Sequence, residues 1–188
     1  MLKFNARAFA VTSAAGVALV IGFGAQAQTN VTGHVNLTVN NAISITESTP
    51  MEFGTFLVVK DTAGANTATL TMASNGTATP SNNAPATFTS VSAVLPAARS
   101  QGIFSITGAA ASTVINVATS GLNDLNCALC SSSDDILLTS VTPATATVTT
   151  DGSGDATINV GAVLTTKTGA TQYQDGAYVG TYTLTVNY

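Results

Sequence analysis

Asp175-Gly-Ala-Tyr-Val-Gly-Thr-Tyr-Thr-Leu-Thr-Val-Asn-Tyr188 closes the chain, and its reading decides the fold. From Tyr182 onward the apolar residues Tyr182, Leu184, Val186 and Tyr188 alternate with Thr183, Thr185 and Asn187, the period of a strand with one buried face. Asp175-Gly176 supplies a turn ahead of it. A chain that finishes on its clearest strand is expected to pair that strand inside a sheet.

The other end carries an export pattern. Lys3 and Arg7 precede an apolar run from Ala8 to Gly24, and Ala25-Gln-Ala27 follows as a small-x-small cleavage site. Residues 1–27 therefore read as a secretory signal peptide cut between Ala27 and Gln28. An uncleaved anchor would need about 20 apolar residues without a processing site. No cysteine stands at the cleavage point, which argues against a lipid-modified terminus. The mature chain is expected in the periplasm, at the cell surface or outside the cell, with no membrane span after cleavage.

Residues 28–188 have the size of one domain and keep only Lys60, Arg99 and Lys167 against nine acidic residues. That balance repels phosphate backbones and argues against nucleic acid as a partner. Charged residues are 7% of the chain, too few for a typical helical surface.

Thr29 to Thr46 is the second informative stretch. Val31, Gly33, Val35, Leu37, Val39, Asn41, Ile43 and Ile45 occupy one face and Thr32, His34, Asn36, Thr38, Asn40, Ala42 and Ser44 the other. One alternation of this length is more than twice an ordinary strand. Either a long strand passes from one sheet to another near Asn40-Asn41, or its first half is free to pair elsewhere. The domain division is accordingly residues 1–27, residues 28–40 and a β domain over residues 41–188.

Within that domain, strands are expected at Met51–Val59, Thr67–Met72, Phe88–Leu95, Ile103–Gly108, Ser112–Val117, Ile136–Val141, Thr145–Thr149 and Ala156–Leu164. Ser74–Pro85 reads as an exposed loop and Asp151-Gly-Ser-Gly-Asp155 as a hairpin turn. No apolar spacing of three and four follows the signal peptide. About eight or nine short strands between Gly, Pro and Asn turns predict an all-β sandwich.

Little of this points to catalysis. Cys127 and Cys130 are the only cysteines, and in an exported chain they read as a structural disulfide pinching a loop. A redox pair commonly opens a helix, which lowers the thiol pKa, whereas Cys130 runs into Ser131-Ser-Ser-Asp-Asp135. Asp151, Ser153 and Asp155 resemble the start of a calcium loop, but Ala156 and Ala162 stand where that loop needs Gly and Glu. His34 is the only imidazole and no Gly-x-Ser-x-Gly elbow exists. Paired carboxylates could come only from Asp124 with Asp134 and Asp135, in one polar loop beside the disulfide that nothing in the sequence buries, so an exposed acidic loop is expected. Asn30, Asn36 and Asn75 begin Asn-x-Thr sequons, as expected by chance here. No catalytic, cofactor or metal residues are assigned.

The strand Phe53-Gly-Thr-Phe56, the stretch Asp155-Ala-Thr-Ile-Asn-Val-Gly-Ala-Val-Leu164 and the final Gly-x-Tyr-x-Gly-Thr-Tyr-x-x-Thr-Val-x-Tyr together resemble the bacterial exported family called domain of unknown function 4402. The two ends also resemble archaic chaperone–usher pilins and the spore coat protein U group. The resemblance implies an immunoglobulin-like, pilin-like sandwich in which a neighbouring subunit supplies one strand, with a periplasmic chaperone as a candidate partner. Pilins of those groups commonly carry a cysteine soon after the N-terminal extension, and this chain has none before Cys127.

Two functions follow as expectations. The first is a non-catalytic subunit of a surface filament, a homo-oligomer in which Val31, Val35, Leu37 and Val39 form the intersubunit donor strand. The second is a monomeric binding module, for carbohydrate or a surface ligand, using the loops Ser74–Pro85 and Asn123–Asp135 with Tyr173 as the stacking residue. A small outer-membrane barrel ranks below both, because barrels need aromatic girdles and the mature chain is poor in aromatics.

Overall fold

The computed structural model describes residues 43–90, 98–130 and 135–188, all within one compact unit, Val39–Tyr188. The expected signal peptide, the N-terminal strand with Val31, Val35, Leu37 and Val39, and residues 91–95 lie outside the described residues. The described chain is all-β. Its strands are β1 (Ser44–Thr49), β2 (Phe56–Val59), β3 (Thr69–Met72), β4 (Ala78–Ser81), β5 (Thr87–Ser90), β6 (Gly102–Thr107), β7 (Val114–Asn126), β8 (Leu137–Pro143), β9 (Thr147–Thr149), β10 (Ala156–Thr165) and β11 (Val179–Asn187).

β10 is the hub of the larger sheet. Its sequence, Ala-Thr-Ile-Asn-Val-Gly-Ala-Val-Leu-Thr, is rich in β-branched and apolar residues, and Ile158, Val160, Ala162 and Leu164, on one face, all lie in the core. Val160 pairs with Gly102 of β6 and with Pro143 of β8, so those two strands lie on opposite edges. Ala162 to Thr165 pair with both β3 and β8. β6 and β3 therefore share one edge of β10, the first along its beginning and the second along its end.

Gly161 stands at the parting of those two strands. A Cβ there would lie 2.3 Å from the Met72 carbonyl oxygen and 2.9 Å from the Ser74 nitrogen. Glycine in a strand interior commonly marks such a close backbone approach.

The smaller sheet has the order β11-β7-β9. Ile115 and Val117 of β7 and Tyr182, Leu184 and Val186 of β11 join the core of Leu70, Ile106, Ile158, Val160 and Leu164. Across the interior, the Phe104 and Tyr182 rings meet edge to face at 6.2 Å. Two packed sheets with alternating inner faces make a β-sandwich. A two-stranded ribbon, β2 with β5, adds Phe56 and buried Phe88 in edge-to-face contact at 6.3 Å.

The sandwich is tied shut along one side. Leu125 and Ile136 exchange two backbone hydrogen bonds of 2.8 Å, and the Thr119 hydroxyl donates to the Val141 carbonyl at 2.7 Å. These bonds join β7 to the β8 edge of the larger sheet. The opposite side, between β1 and β11, has no such tie among the described residues.

Two expectations need correction. Ser74–Pro85 is not wholly a loop, because β4 lies inside it and pairs with β3 through a turn in which Asn75 Oδ1 accepts the Thr77 amide at 3.1 Å. Pro80 and the polar neighbours of β4 suit an edge strand but hide it from any apolar period. Asn123–Asp135 likewise begins as strand, since β7 runs to Asn126. Its second half exposes Ser120, Gly121, Leu122 and Asn123, so no alternation announces it. With β4 the described strands number eleven, where about eight or nine were expected.

Gly161→Ala forces a methyl group into the β3–β4 backbone, and overpacking of this kind costs about 1–3 kcal/mol. We expect a loss of that size in urea denaturation, with Val163→Ala on the same strand tolerated better. Equal midpoints for Gly161→Ala and the unaltered protein would contradict the assignment of the strand parting.

Candidate functional site

The open side is built by β1 and β11. On β1, Ile45 pairs with Ile106 and Glu47 with Phe104. Residues directly opposite in an antiparallel pair share a face, and Ile106 and Phe104 face the interior. Ile45 and Glu47 therefore point inward too. Yet Ile106 is fully buried while Ile45 is 37% exposed. The difference arises because the smaller sheet ends at β11, which covers β6, and among the described residues nothing covers β1.

β11 forms the other wall. It is nine residues long and pairs with β7 along one edge only, among the described residues. Its inward Tyr182, Leu184 and Val186 are half-buried, as are Ile43, Met51, Phe53 and Phe104 at the same margin of the core. The outward Thr181, Thr183, Thr185 and Asn187 are exposed. A free strand edge next to half-covered apolar side chains can take up one more strand, gaining ladder hydrogen bonds and side-chain burial together.

Besides Glu47, a second polar group interrupts this apolar margin. The Tyr182 hydroxyl is buried and makes no hydrogen bond among the described residues. Gly102 gives it room, since a Cβ there would lie 2.8 Å from the phenolic oxygen. Burial, helped by the negative charge of Glu47, pushes the phenol up to about 12.

The residues singled out from the sequence for chemistry have structural partners. Cys127 and Cys130 are bonded, closing the turn after β7. Gly176 packs on that bond, where a Cβ would lie 2.6 Å from the Cys127 Sγ and 2.9 Å from the Cys130 Sγ. The disulfide thus shapes the approach to β11. Asp124 and Asp135 both bind the Lys167 ammonium, at 3.3 and 3.4 Å. Partial burial pulls that ammonium down, but the hydrogen bonds and charges of the two aspartates outweigh it and hold its pKa above the ordinary lysine value. Asp134 lies outside the described residues.

Asp151 spends its carboxylate on its own turn, accepting the Ser153 amide at 2.8 Å and the Asp155 amide at 3.0 Å. Tyr173 is no open stacking platform. Its ring meets Tyr178 edge to face at 6.0 Å and lies 5.8 Å from the Lys60 Nζ, and its hydroxyl accepts the Lys167 amide at 2.8 Å. Sequence reasoning missed that Lys60, only 1% exposed, is an interior residue. It also missed Glu47 and Phe104 as parts of the margin. Only the register of β1 on β6 brings them there.

The family match covers residues 43–188, from the residue before β1 to the residue after β11. The chain belongs to the family described as Domain of unknown function (DUF4402). Both walls of the open side fall inside that match, whereas residues 28–40 fall outside it. No curated protein and no solved structure matches the chain.

Tyr182→Phe is expected to keep or slightly raise stability at pH 7, because the hydroxyl gives up water without gaining a partner. The raised phenol pKa means that its contribution is complete below pH 10 and is lost as pH climbs toward 12. Denaturation midpoints from pH 8 to 12 should therefore fall less steeply in the variant. Parallel curves would show that the phenol ionises normally.

A second pH effect comes from buried Asp61. The Asn66 amide lowers its pKa, burial opposes this, and the Ala63 and Gly64 amides add to the lowering. Asp151 is lowered in the same way by the Asp155 and Ser153 amides. Depressed carboxyls confer stability that is complete above about pH 4 and is lost as pH falls through their folded values. Asp61→Ala should be less stable at pH 7 and should lose less on going from pH 4 to pH 2. An unchanged acid slope would rule Asp61 out as a contributor.

Proposed function

We propose that this protein is a non-catalytic structural subunit of a bacterial surface filament, assembled by β-strand donation. The observation that carries the reading is Ile45, inward-facing by register yet exposed because the smaller sheet is one strand too narrow to cover it. Residues 28–40 fit as the missing strand. Val31, Val35, Leu37 and Val39 make one apolar face, and burying them would contribute on the order of 1.5–3 kcal/mol each before ordering costs. Left in water, such a strand beside a free edge invites uncontrolled pairing. Likeness at both ends to archaic chaperone–usher pilins supports the same reading, as does an export signal at residues 1–27. A periplasmic chaperone that covers the open side before assembly fits this scheme.

The test compares the mature protein with a variant lacking Gln28 to Asn40 and with Ile45→Lys, on unheated denaturing gels and by negative-stain microscopy. Filaments and a heat-sensitive ladder are expected from the full chain and should be lost in the truncation. Ile45→Lys should weaken the ladder while leaving the monomer's denaturation midpoint within about 0.5 kcal/mol of the original, as for an exposed site. A stable monomer from the full chain, merely unfolded by the truncation, would mean that the strand closes its own domain. The monomeric binding-module reading would then replace this one.

A further inference from the structure

The connection that leads into β11 is seated on the Cys127–Cys130 bond. The two cysteines are only three apart in sequence, and so short a loop restrains the unfolded chain less than a long one. The bond acts chiefly through what it touches in the fold, which is Gly176. That glycine is not among those of positive φ, so its backbone conformation would accept a side chain. The sulfurs would not, because a Cβ there would lie 2.6 Å from the Cys127 Sγ and 2.9 Å from the Cys130 Sγ. The Asp175 carbonyl oxygen also lies 3.9 Å from the Cys130 Sγ.

Gly176 belongs to a turn that moves as one piece. The Tyr178 hydroxyl donates to the Gln174 carbonyl at 2.9 Å and accepts the Gln174 amide at 3.2 Å, which closes the turn on itself. The chain before it is anchored separately. The Gln172 side chain bonds the Lys60 amide and carbonyl at 3.0 and 2.9 Å, and the Tyr173 hydroxyl accepts the Lys167 amide. The chain after it is β11, whose first rung, Val179 opposite Asn126, adjoins Cys127. The register then shifts between Val179 and Thr181 and again between Thr181 and Thr183, and runs evenly only from Thr183 to Asn187. Irregular pairing of this kind interrupts a ladder. The first half of β11 is therefore its weaker half, and the disulfide stands at that end.

The bond is open to exchange. Both cysteines are half-buried, Ala128 is exposed, and Leu129 is 99% exposed. Disulfides that thiols can reach are the labile ones. A dithiol reductant attacks one sulfur and releases the other as a thiolate, which takes up a proton. Its own second thiol then resolves the mixed disulfide, leaving two cysteine thiols here and a disulfide on the reductant. Unbonded sulfurs must part to van der Waals contact, and the notch beneath Gly176 fits a bonded pair. The turn has to lift.

We infer that the Cys127–Cys130 disulfide is a redox latch on the first half of β11, which a dithiol opens, freeing residues 175–182 from β7 while Thr183 to Asn187 stay paired. The pair is the substrate of the exchange and not its catalyst. Tyr182 lies in the freed segment, so the latch sets how this wall of the open side is presented. The inference does not depend on a strand being donated there.

The test measures amide hydrogen exchange on the mature protein, first oxidised and then held in dithiothreitol. Reduction should speed exchange of residues 176–182 at least about tenfold and leave β10 and residues 184–187 within about twofold. A bond that dithiothreitol leaves intact, a uniform change across the domain, or no change overturns the latch. Gly176→Ala in the oxidised protein should speed the same residues to a similar degree. With Cys127→Ala and Cys130→Ala already in place, adding Gly176→Ala should change them less than about twofold, since the sulfurs it would meet are gone. Equal effects in the two backgrounds would show that the turn is not seated on the sulfurs. The reduction arm uses the unaltered chain, so it decides the matter even where the doubly substituted one does not fold.

Discussion

The larger sheet depends on one constraint, that β10 be flanked along its whole length while two different strands divide one of its edges. β8 occupies the far edge from Val160 to Thr165, β6 takes the first half of the near edge and β3 the second. This division works only where Gly161 lets the β3–β4 backbone come closer than any side chain would allow. From that point the sandwich is determined outward. β6 carries β1, β8 leads through Ile136 to β7, and β7 carries β11. Among the described residues, one side of the sandwich is joined by backbone bonds and the other is left as a shelf.

A chain with so few charged residues uses several of them inside turns and joints. Asp61 and Asp151 act as anchors for the backbone amides of their own loops. Asp124 and Asp135 hold Lys167 between the ends of β7, β8 and β10, and Lys60 sits in the interior beside Tyr173. The outer faces are left to Thr, Asn and Ser, whose hydroxyl and amide groups keep sheet surfaces hydrated without charge. Glu47 is the exception, an acid on an inward-facing position, and it is tolerable there because that position is still wet.

The class of fold was legible because its period is simple. β11 and the heart of β10 stand where alternation or a short apolar run placed them, and the turn at Asp151–Asp155 was visible in its glycines. What the period cannot report is partnership. It assigns a face to Ile45 but does not reveal that the face lacks a neighbour, since that depends on how many strands the opposite sheet has. For the same reason Tyr173 could pass as an open platform when its ring is engaged by Tyr178 and Lys60. β4 and the latter half of β7 were hidden by composition, being strands without an apolar face.

The late position of β10 in the chain has a consequence for the protein's birth. β3 and β6 appear well before the strand that will join them, and Leu70 must wait for Leu164, Phe104 for Ile158. Pairings this distant in sequence form slowly, because the intervening chain must be closed into a loop before any bond rewards it. During synthesis the emerging polypeptide therefore carries several bare sheet edges at once. Its most hazardous moments come while it is incomplete, and whatever guards it against self-association has to act then.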